Sequence, residues 1–385
     1  MSEYLPGLEG VPATKSNISD LDGSKGILTY RGYEIAELAR YSNFEETALL
    51  LLDGQLPTGA ELAEFERRLR NNRPVKYNIR GIMKHLPATG HPMEMLQSSV
   101  AALAMFYPAE EKLGGGDMGE DTAYIHSMSV KILARMATLV AMWEHLRAGY
   151  DPIPPRKDFG YAENLLYMFT GEEPDPLLAR IMDASLILHA EHTINASTFA
   201  ALVAGSTLTN PYLVVAAAIG TLAGPLHGGA NQRVLEMLRE IERPEHARPW
   251  LEDQLANKRR IWGMGHREYK VKDPRATILQ NMMLELMRER GGRISPLFET
   301  ALALEEAAEE RLGPKGVYPN VDFYSGILYS EMGIPGDQFT SIFAIARSAG
   351  WLAHWREQLK DNRIFRPTQV YTGEAPRSYV AIEER

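Results

Sequence analysis

Apolar residues recur three and four positions apart over most of this chain, a spacing that builds one-sided helices rather than extended sheet. The pattern predicts helices over 58–70, 93–106, 122–147, 176–192, 211–222, 274–290, 295–312 and 338–359, and it resumes at 230–238. Short Pro/Gly/Asp breaks separate the segments: NRP at 72–74, GGGDMGED at 114–121, GYDPIPPRKD at 149–158 and GEEPDP at 171–176. Only SDLDGSKGILTYRGYEI, residues 19–35, joins a short β-rich run to Asp-Gly and Gly turn signals, and it predicts a small hairpin. The expected fold class is all-α: many helices with a minor N-terminal β-hairpin. The glycines at 114–116 are followed by acids and by no Lys-Ser/Thr pair, so they read as a loop and not as a phosphate cradle.

So many helices need a large core. A chain of 385 residues, 45% hydrophobic, supplies one, as two domains or as one domain with an insertion. The absence of cysteine excludes disulfides, thiol nucleophiles and thiolate metal sites. The N-terminus, MSEYLPGLEG, lacks the apolar stretch of a secretory signal. The longest apolar run, 212–226, is shorter than the ~18 residues of a spanning helix and contains Gly and Pro. A soluble, cytoplasmic protein without a membrane partner is expected. A net charge of −9 argues against nucleic acid as a partner. Residues 258–275 depart from that charge, with seven Lys/Arg against two acids, and suggest a small polyanionic ligand.

Several stretches carry chemistry. GPLHGGANQ, residues 224–232, sets His227 between a Gly-Pro break and two glycines at the mouth of a helix. Missing side chains let a backbone or a ligand come close. The stretch fits an interhelix turn with a capping histidine as well as a histidine open to a small molecule. Residues 181–195 read as an apolar helix carrying His189, Glu191 and His192, with the two histidines on one face. Such a pair is able to give two metal ligands, but no HExxH pattern accompanies it, and no metal is expected.

Residues 261–275, IWGMGHREYKVKDPR, hold His266 and end in Asp273–Pro274, a cap followed by proline at the first helical position. Arg275 then falls in a first turn, where the helix dipole disfavours a cation by ~0.3–1 kcal/mol. An anionic ligand or a structural carboxylate explains it equally. Asp322 also opens a helix, wrapped by Val321, Phe323 and Tyr324, and apolar wrapping raises a carboxylate towards a usable base. Arg347 lies in an apolar stripe between Phe343 and Trp351 and must be paired, by the protein or by a ligand. Arg366 precedes a proline in a segment read as extended and exposed.

GPLHGGAN, GMGHREYK with DPRA, PNVDFYSG, FAIARSAGW and RPTQVYTG, in that order and spacing, resemble citrate synthase over nearly the whole chain. The resemblance implies condensation of acetyl-CoA with oxaloacetate and water to citrate and CoA, the first step of the tricarboxylic acid cycle. It implies a catalytic set of His227 on the thioester oxygen, Asp322 as the base for the acetyl methyl, and His266 on the oxaloacetate carbonyl. It assigns His192, Arg275, Arg347 and Arg366 to the oxaloacetate carboxylates, with Arg366 supplied across a homodimer. Arg260, Ile261, Trp262, Gly263 and Met264 match the family's adenine-recognition loop for CoA. Charge alone adds Arg267, Lys270 and Lys272 for the CoA phosphates.

The resemblance further implies a large helical domain, 1–224 with 326–385, and a small one, 225–325, that closes over oxaloacetate. Acetyl-CoA is a co-substrate, and no cofactor is expected. Three alternatives stay open at this level: a 2-methylcitrate synthase using propionyl-CoA, a metal-dependent hydrolase, and a non-catalytic helical binding protein.

Overall fold

The computed structural model describes residues 4–107, 118–292 and 295–385. The expected hairpin is a three-stranded antiparallel sheet of β1 (Ser19–Asp22), β2 (Ile27–Tyr30) and β3 (Tyr33–Glu34), in that order. Ser19 faces Tyr30 and Asp22 faces Ile27. The third strand arises because Arg31 and Gly32 both take positive φ, 50° and 86°, and make a second tight turn.

Sixteen α-helices follow among the described residues. The first eight are α1 (Ile35–Tyr41), α2 (Phe44–Asp53), α3 (Gly59–Asn72), α4 (Tyr77–Lys84), α5 (Pro92–Leu103), α6 (Met118–Arg147), α7 (Tyr161–Thr170) and α8 (Pro176–Ala190). The rest are α9 (Ala196–Gly205), α10 (Pro211–Leu222), α11 (Ala230–Ile241), α12 (Ala247–Ala256), α13 (Pro274–Glu289), α14 (Pro296–Leu312), α15 (Val321–Glu331) and α16 (Phe339–Gln358). Helices α8, α10, α13 and α14 start the same way, with Asp175, Asn210, Asp273 or Ser295 capping a backbone N–H ahead of a proline. Each such cap contributes about 1 kcal/mol.

Two expectations need correction. Helix α6 begins at Met118, so the break expected at 114–121 ends earlier than predicted; the glycines at 114–116 lie outside the described residues. Helix α8 ends at Ala190, short of His192. A third reading is also amended: the chain does contain a helix, Thr122–Arg147, apolar and long enough by composition to cross a membrane, and 78% of its apolar stretch is buried inside the fold.

Helix α16 forms the axis of the larger group. Every residue from Phe339 to Trp355 is buried, as expected of a helix apolar on all faces. It packs against α2, α6, α8 and α9. A second group forms where α15 packs on α11 and α13 and where α14 packs on α12. Hydrogen bonds join the end of α8 to the middle of α16 and to the loop before α13, and that loop to the start of α15.

Candidate active site

Arg347 is 2% exposed in the middle of α16. Its Nε donates to the His189 carbonyl at 2.8 Å, and its guanidinium lies 4.6 Å from the Phe343 ring. Among the described residues it forms no ion pair with a carboxylate. Burial brings its pKa down to about 10, with the charge of Glu191 the strongest influence the other way. Glu191 is itself fully buried. Its Oε1 accepts from the Ser19 hydroxyl at 3.0 Å and sits 2.9 Å from His354 Nε2, while Oε2 has no hydrogen-bond partner among the described residues.

The same neighbourhood explains where α8 stops. The Tyr30 hydroxyl donates to the Glu191 carbonyl at 2.7 Å and accepts the Glu191 N–H at 3.1 Å. Glu191 takes an extended conformation, φ −148° and ψ 153°. His189 and His192 therefore do not share a helix face. His189 turns Nδ1 to the Ser185 carbonyl at 2.7 Å, and His192 turns Nε2 to the Tyr269 hydroxyl at 3.2 Å. No group of three His, Asp or Glu side chains placed to hold a metal occurs among the described residues.

His266 sits across from His192, with ring centroids 5.1 Å apart. Its Nδ1 accepts the Glu268 N–H at 3.1 Å, so the neutral ring carries its proton on Nε2. Burial lowers its pKa to about 4, and Arg275 adds to that. Burial, Arg275 and His266 likewise hold His192 well below the ordinary imidazole range. Arg275, 2% exposed, forks onto Asp273, Nε to Oδ1 at 3.1 Å and Nη2 to Oδ2 at 2.7 Å. The structural carboxylate left open by the sequence is thus Asp273, two residues away. Nη1 lies outside that fork.

The segment before His266 is laced to the segment before Asp322. Asn320 N–H donates to the Gly263 carbonyl at 2.9 Å, Asn320 Nδ2 to the Gly265 carbonyl at 2.9 Å, and Gly265 N–H to the Tyr318 carbonyl at 2.8 Å. Gly263 has φ +75°, and a Cβ there would lie 2.7 Å from Val234 Cγ2 and 3.0 Å from Phe323 Cα. Only glycine permits that approach to α15. Asn320 also caps α15 through the Asp322 N–H at 3.0 Å. Asp322 Oδ1 is buried without a hydrogen-bond partner among the described residues. Burial raises the Asp322 carboxyl to about 6, against the pull of Arg275 and Arg347.

His227 Nε2 accepts the Ser197 N–H at 3.3 Å and lies 2.9 Å from the Ser197 hydroxyl. The Trp351 indole donates to that same hydroxyl at 3.1 Å. Burial lowers His227 to about 4, and Arg347 adds to the effect. Of its two glycines, Gly228 is required by the fold, since a Cβ there would lie 2.4 Å from the Leu222 carbonyl oxygen. Gly229 faces open space. The field of Arg347 reaches His192, His227 and Asp322, and that of Arg275 reaches His192, His266 and Asp322.

The remaining predicted residues stand apart. Arg366 is exposed on an extended tail, and its Nη1 donates to the neighbouring Pro367 carbonyl at 3.0 Å. Arg260 is exposed with its guanidinium 4.4 Å from the Trp262 ring. Ile261 is buried, and Met264 bridges to Pro319. Arg267 and Lys270 are exposed. Lys272 is tied to Glu305 at 2.5 Å and to Gln280 at 2.6 Å, so its charge is already matched within the protein. Sequence reasoning missed Ser197, Tyr269 and the fork of Asp273. Ser197 lies thirty residues from His227, and no local pattern marks the contact.

A family model described as citrate synthase, C-terminal domain, matches residues 7–368. The citrate synthase of Acidithiobacillus ferridurans is 60% identical over 99% of this chain and 98% of its own length. That of Synechocystis sp. is 55% identical over 99% and 94%. Among solved structures, citrate synthase from Thermotoga maritima aligns with a TM-score of 0.86 at 39% identity, covering 99% of both chains. The ternary complex of carboxymethyl coenzyme A and oxaloacetate with citrate synthase from Thermoplasma acidophilum aligns at 0.92 and 32% identity, over 100% of both.

Proposed function

The chain belongs to the citrate synthase family, and we propose that His227, Asp322 and His266 are the groups with which it condenses acetyl-CoA with oxaloacetate. The observation that carries the reading is Arg347, a buried cation that forms no ion pair among the described residues and feels Glu191 only through its field. A dicarboxylate substrate answers it, and Arg275 Nη1 and His192 take the other contacts. Planar guanidinium groups suit carboxylates for this purpose.

The chemistry follows from the tautomers. A methyl group beside a thioester is a very weak acid, so its proton leaves only if charge on the carbonyl oxygen is met as it forms. His227 accepts on Nε2 and so offers Nδ1–H to that oxygen, a contribution of ~3–4 kcal/mol for a preorganised donor. Asp322, held near neutrality by burial, takes the methyl proton. The resulting enol carbon attacks the ketone carbon of oxaloacetate. His266 offers Nε2–H to the ketone oxygen. Burial, with Arg275 and Lys270, depresses its pKa; the two negative charges of oxaloacetate act the other way and let the ring serve as an acid. Water then cleaves citryl-CoA to citrate and CoA. The scheme calls on no cofactor.

The domains are proposed as before, 1–224 with 326–385 and 225–325, closing on oxaloacetate to exclude water. The packing of α11 and α13 on α15, and of α11 and α12 on α14, supports the smaller one. A homodimer is proposed to bring Arg366 to a partner's oxaloacetate. The exposure of Arg366, with Ile364 63% and Tyr371 71% exposed on the same tail, supports it. Arg260–Met264 are proposed for the CoA adenine, and Arg267 and Lys270 for its phosphates, without Lys272. A cytoplasmic enzyme is proposed, and the burial of α6 within the fold fits a core helix rather than a membrane span. A thiol-reagent assay tests the function: CoA is released from acetyl-CoA only when oxaloacetate is present, faster than from propionyl-CoA, and absence of release contradicts it.

A further inference from the structure

The turn between β1 and β2 rests on the loop that carries His266. Asp22 stiffens this turn: its Oδ1 accepts the Ser24 N–H at 3.0 Å, the Ser24 hydroxyl at 2.6 Å and the Lys25 N–H at 3.1 Å, and its Oδ2 pairs with Lys25 Nζ at 2.9 Å. The turn meets the loop without any intervening side chain. A Cβ on Gly23 would lie 2.1 Å from the Glu268 carbonyl oxygen and 2.7 Å from its carbon, and one on Gly26 would lie 2.9 Å from Val271 Cγ2. The Gly23 carbonyl accepts the Lys270 N–H at 2.9 Å. Gly23 is not among the residues with positive φ. Its missing side chain is therefore explained by the contact and not by its backbone conformation.

The contacted residues are the ones that orient the catalytic imidazole. Glu268 meets Gly23 through its carbonyl and gives its N–H to His266 Nδ1 at 3.1 Å. Tyr269 follows, with its ring 4.9 Å from His266 and 5.6 Å from His192. We propose that the Asp22–Gly26 turn is a positioning element for His266, with Gly23 the seat that fixes residues 268–270 and, through them, the direction and tautomer of the ring. The proposal rests on the role given to His266 above. The groups facing that ring are His192, Tyr269, Arg275, Asp273 and Lys270.

Gly23→Ala tests it, because alanine is compatible with the turn but not with the seat. The full chain carrying it is expected to fold, to lose ~10-fold or more in kcat, and to show a raised KM for oxaloacetate. The His266 imidazole, followed by NMR titration, is expected to move up towards the ordinary histidine range. The N–H donated to Nδ1 favours the neutral ring, and displacing Glu268 removes it. Loss of stability alone does not produce that change. Unchanged kcat, KM and His266 titration in folded Gly23→Ala overturn the proposal. If that variant does not fold, Asp22→Ala slackens the turn without adding an atom, and an unchanged His266 titration there overturns it equally. A wild-type chain that releases no CoA defeats the functional reading, while the titration still reports whether the turn holds His266.

Discussion

His227 Nε2 accepts the backbone N–H of Ser197 at 3.3 Å, and that single contact assigns the ring's remaining proton to Nδ1. With burial holding its pKa at about 4, the imidazole stays neutral at physiological pH and is a donor of fixed direction. His227→Ala is expected to lower kcat by ~10²–10³-fold, as for an oxyanion donor. Ser197→Ala keeps the backbone N–H and is expected to lower kcat by less than ~10-fold. Steady-state kinetics on both variants check the order.

Asp322→Asn is expected to lower kcat by ~10² or more, since a general base is lost. In the wild type the base must be ionised, so kcat/KM, which reports the free enzyme, rises with pH through about 6, the value to which burial brings Asp322. The folded pKa lies above the unfolded one, so the protonated form is the one the fold favours. Stability from this group is present at low pH and is lost as pH rises through about 6. Asparagine removes that penalty, and Asp322→Asn is expected to melt higher than wild type at neutral pH. A pH–rate profile and a thermal scan read the two effects.

Arg347→Leu is expected to raise the KM for oxaloacetate by ~10²-fold, because one charge of a dicarboxylate is left unmatched. Its melting temperature is expected to hold or rise. Among the described residues the arginine makes no ion pair, so leucine removes a desolvation cost, while loss of the Glu191 attraction and of the His189 carbonyl bond acts the other way and keeps the change small. A large fall in melting temperature with unchanged KM would make Arg347 a purely structural residue.

Arg366→Ala and Asp322→Asn are each expected to be nearly inactive alone. Mixed and reassembled, they are expected to recover activity, because the Arg366→Ala protomer keeps its own Asp322 and receives Arg366 from its partner. If Arg366 serves its own chain, mixing restores nothing. Sedimentation of the active species gives the accompanying size.

The helices legible in the sequence are the longer ones, whose apolar spacing runs over three turns or more. Helix α3, with its Thr58–Glu61 capping box, and α14, with Ser295 ahead of Pro296, fall where the spacing puts them. Helices α1, α2, α4, α7, α9 and α12 escape because each is at most 10 residues long, too short a window for a period to stand out. The end of α8 escapes for another reason: the Tyr30 hydroxyl, from a strand some 160 residues away, takes the backbone groups that would have continued it. The chemical residues announced themselves through local punctuation, Gly-Pro, Asp-Pro or Pro-Asn beside a histidine, arginine or aspartate. Their partners did not. Ser197, Tyr269 and Gly23 act at a distance in sequence, and only packing shows what each one meets.

The central claim is that one acetyl group is held between His227 and Asp322. A crystal structure of this chain with carboxymethyl coenzyme A and oxaloacetate tests it most directly. The account predicts His227 Nδ1 and an Asp322 carboxyl oxygen both within ~2.6–3.2 Å of the same carboxymethyl group. A complex in which the two residues contact different parts of the ligand, or in which either faces away from it, contradicts the account.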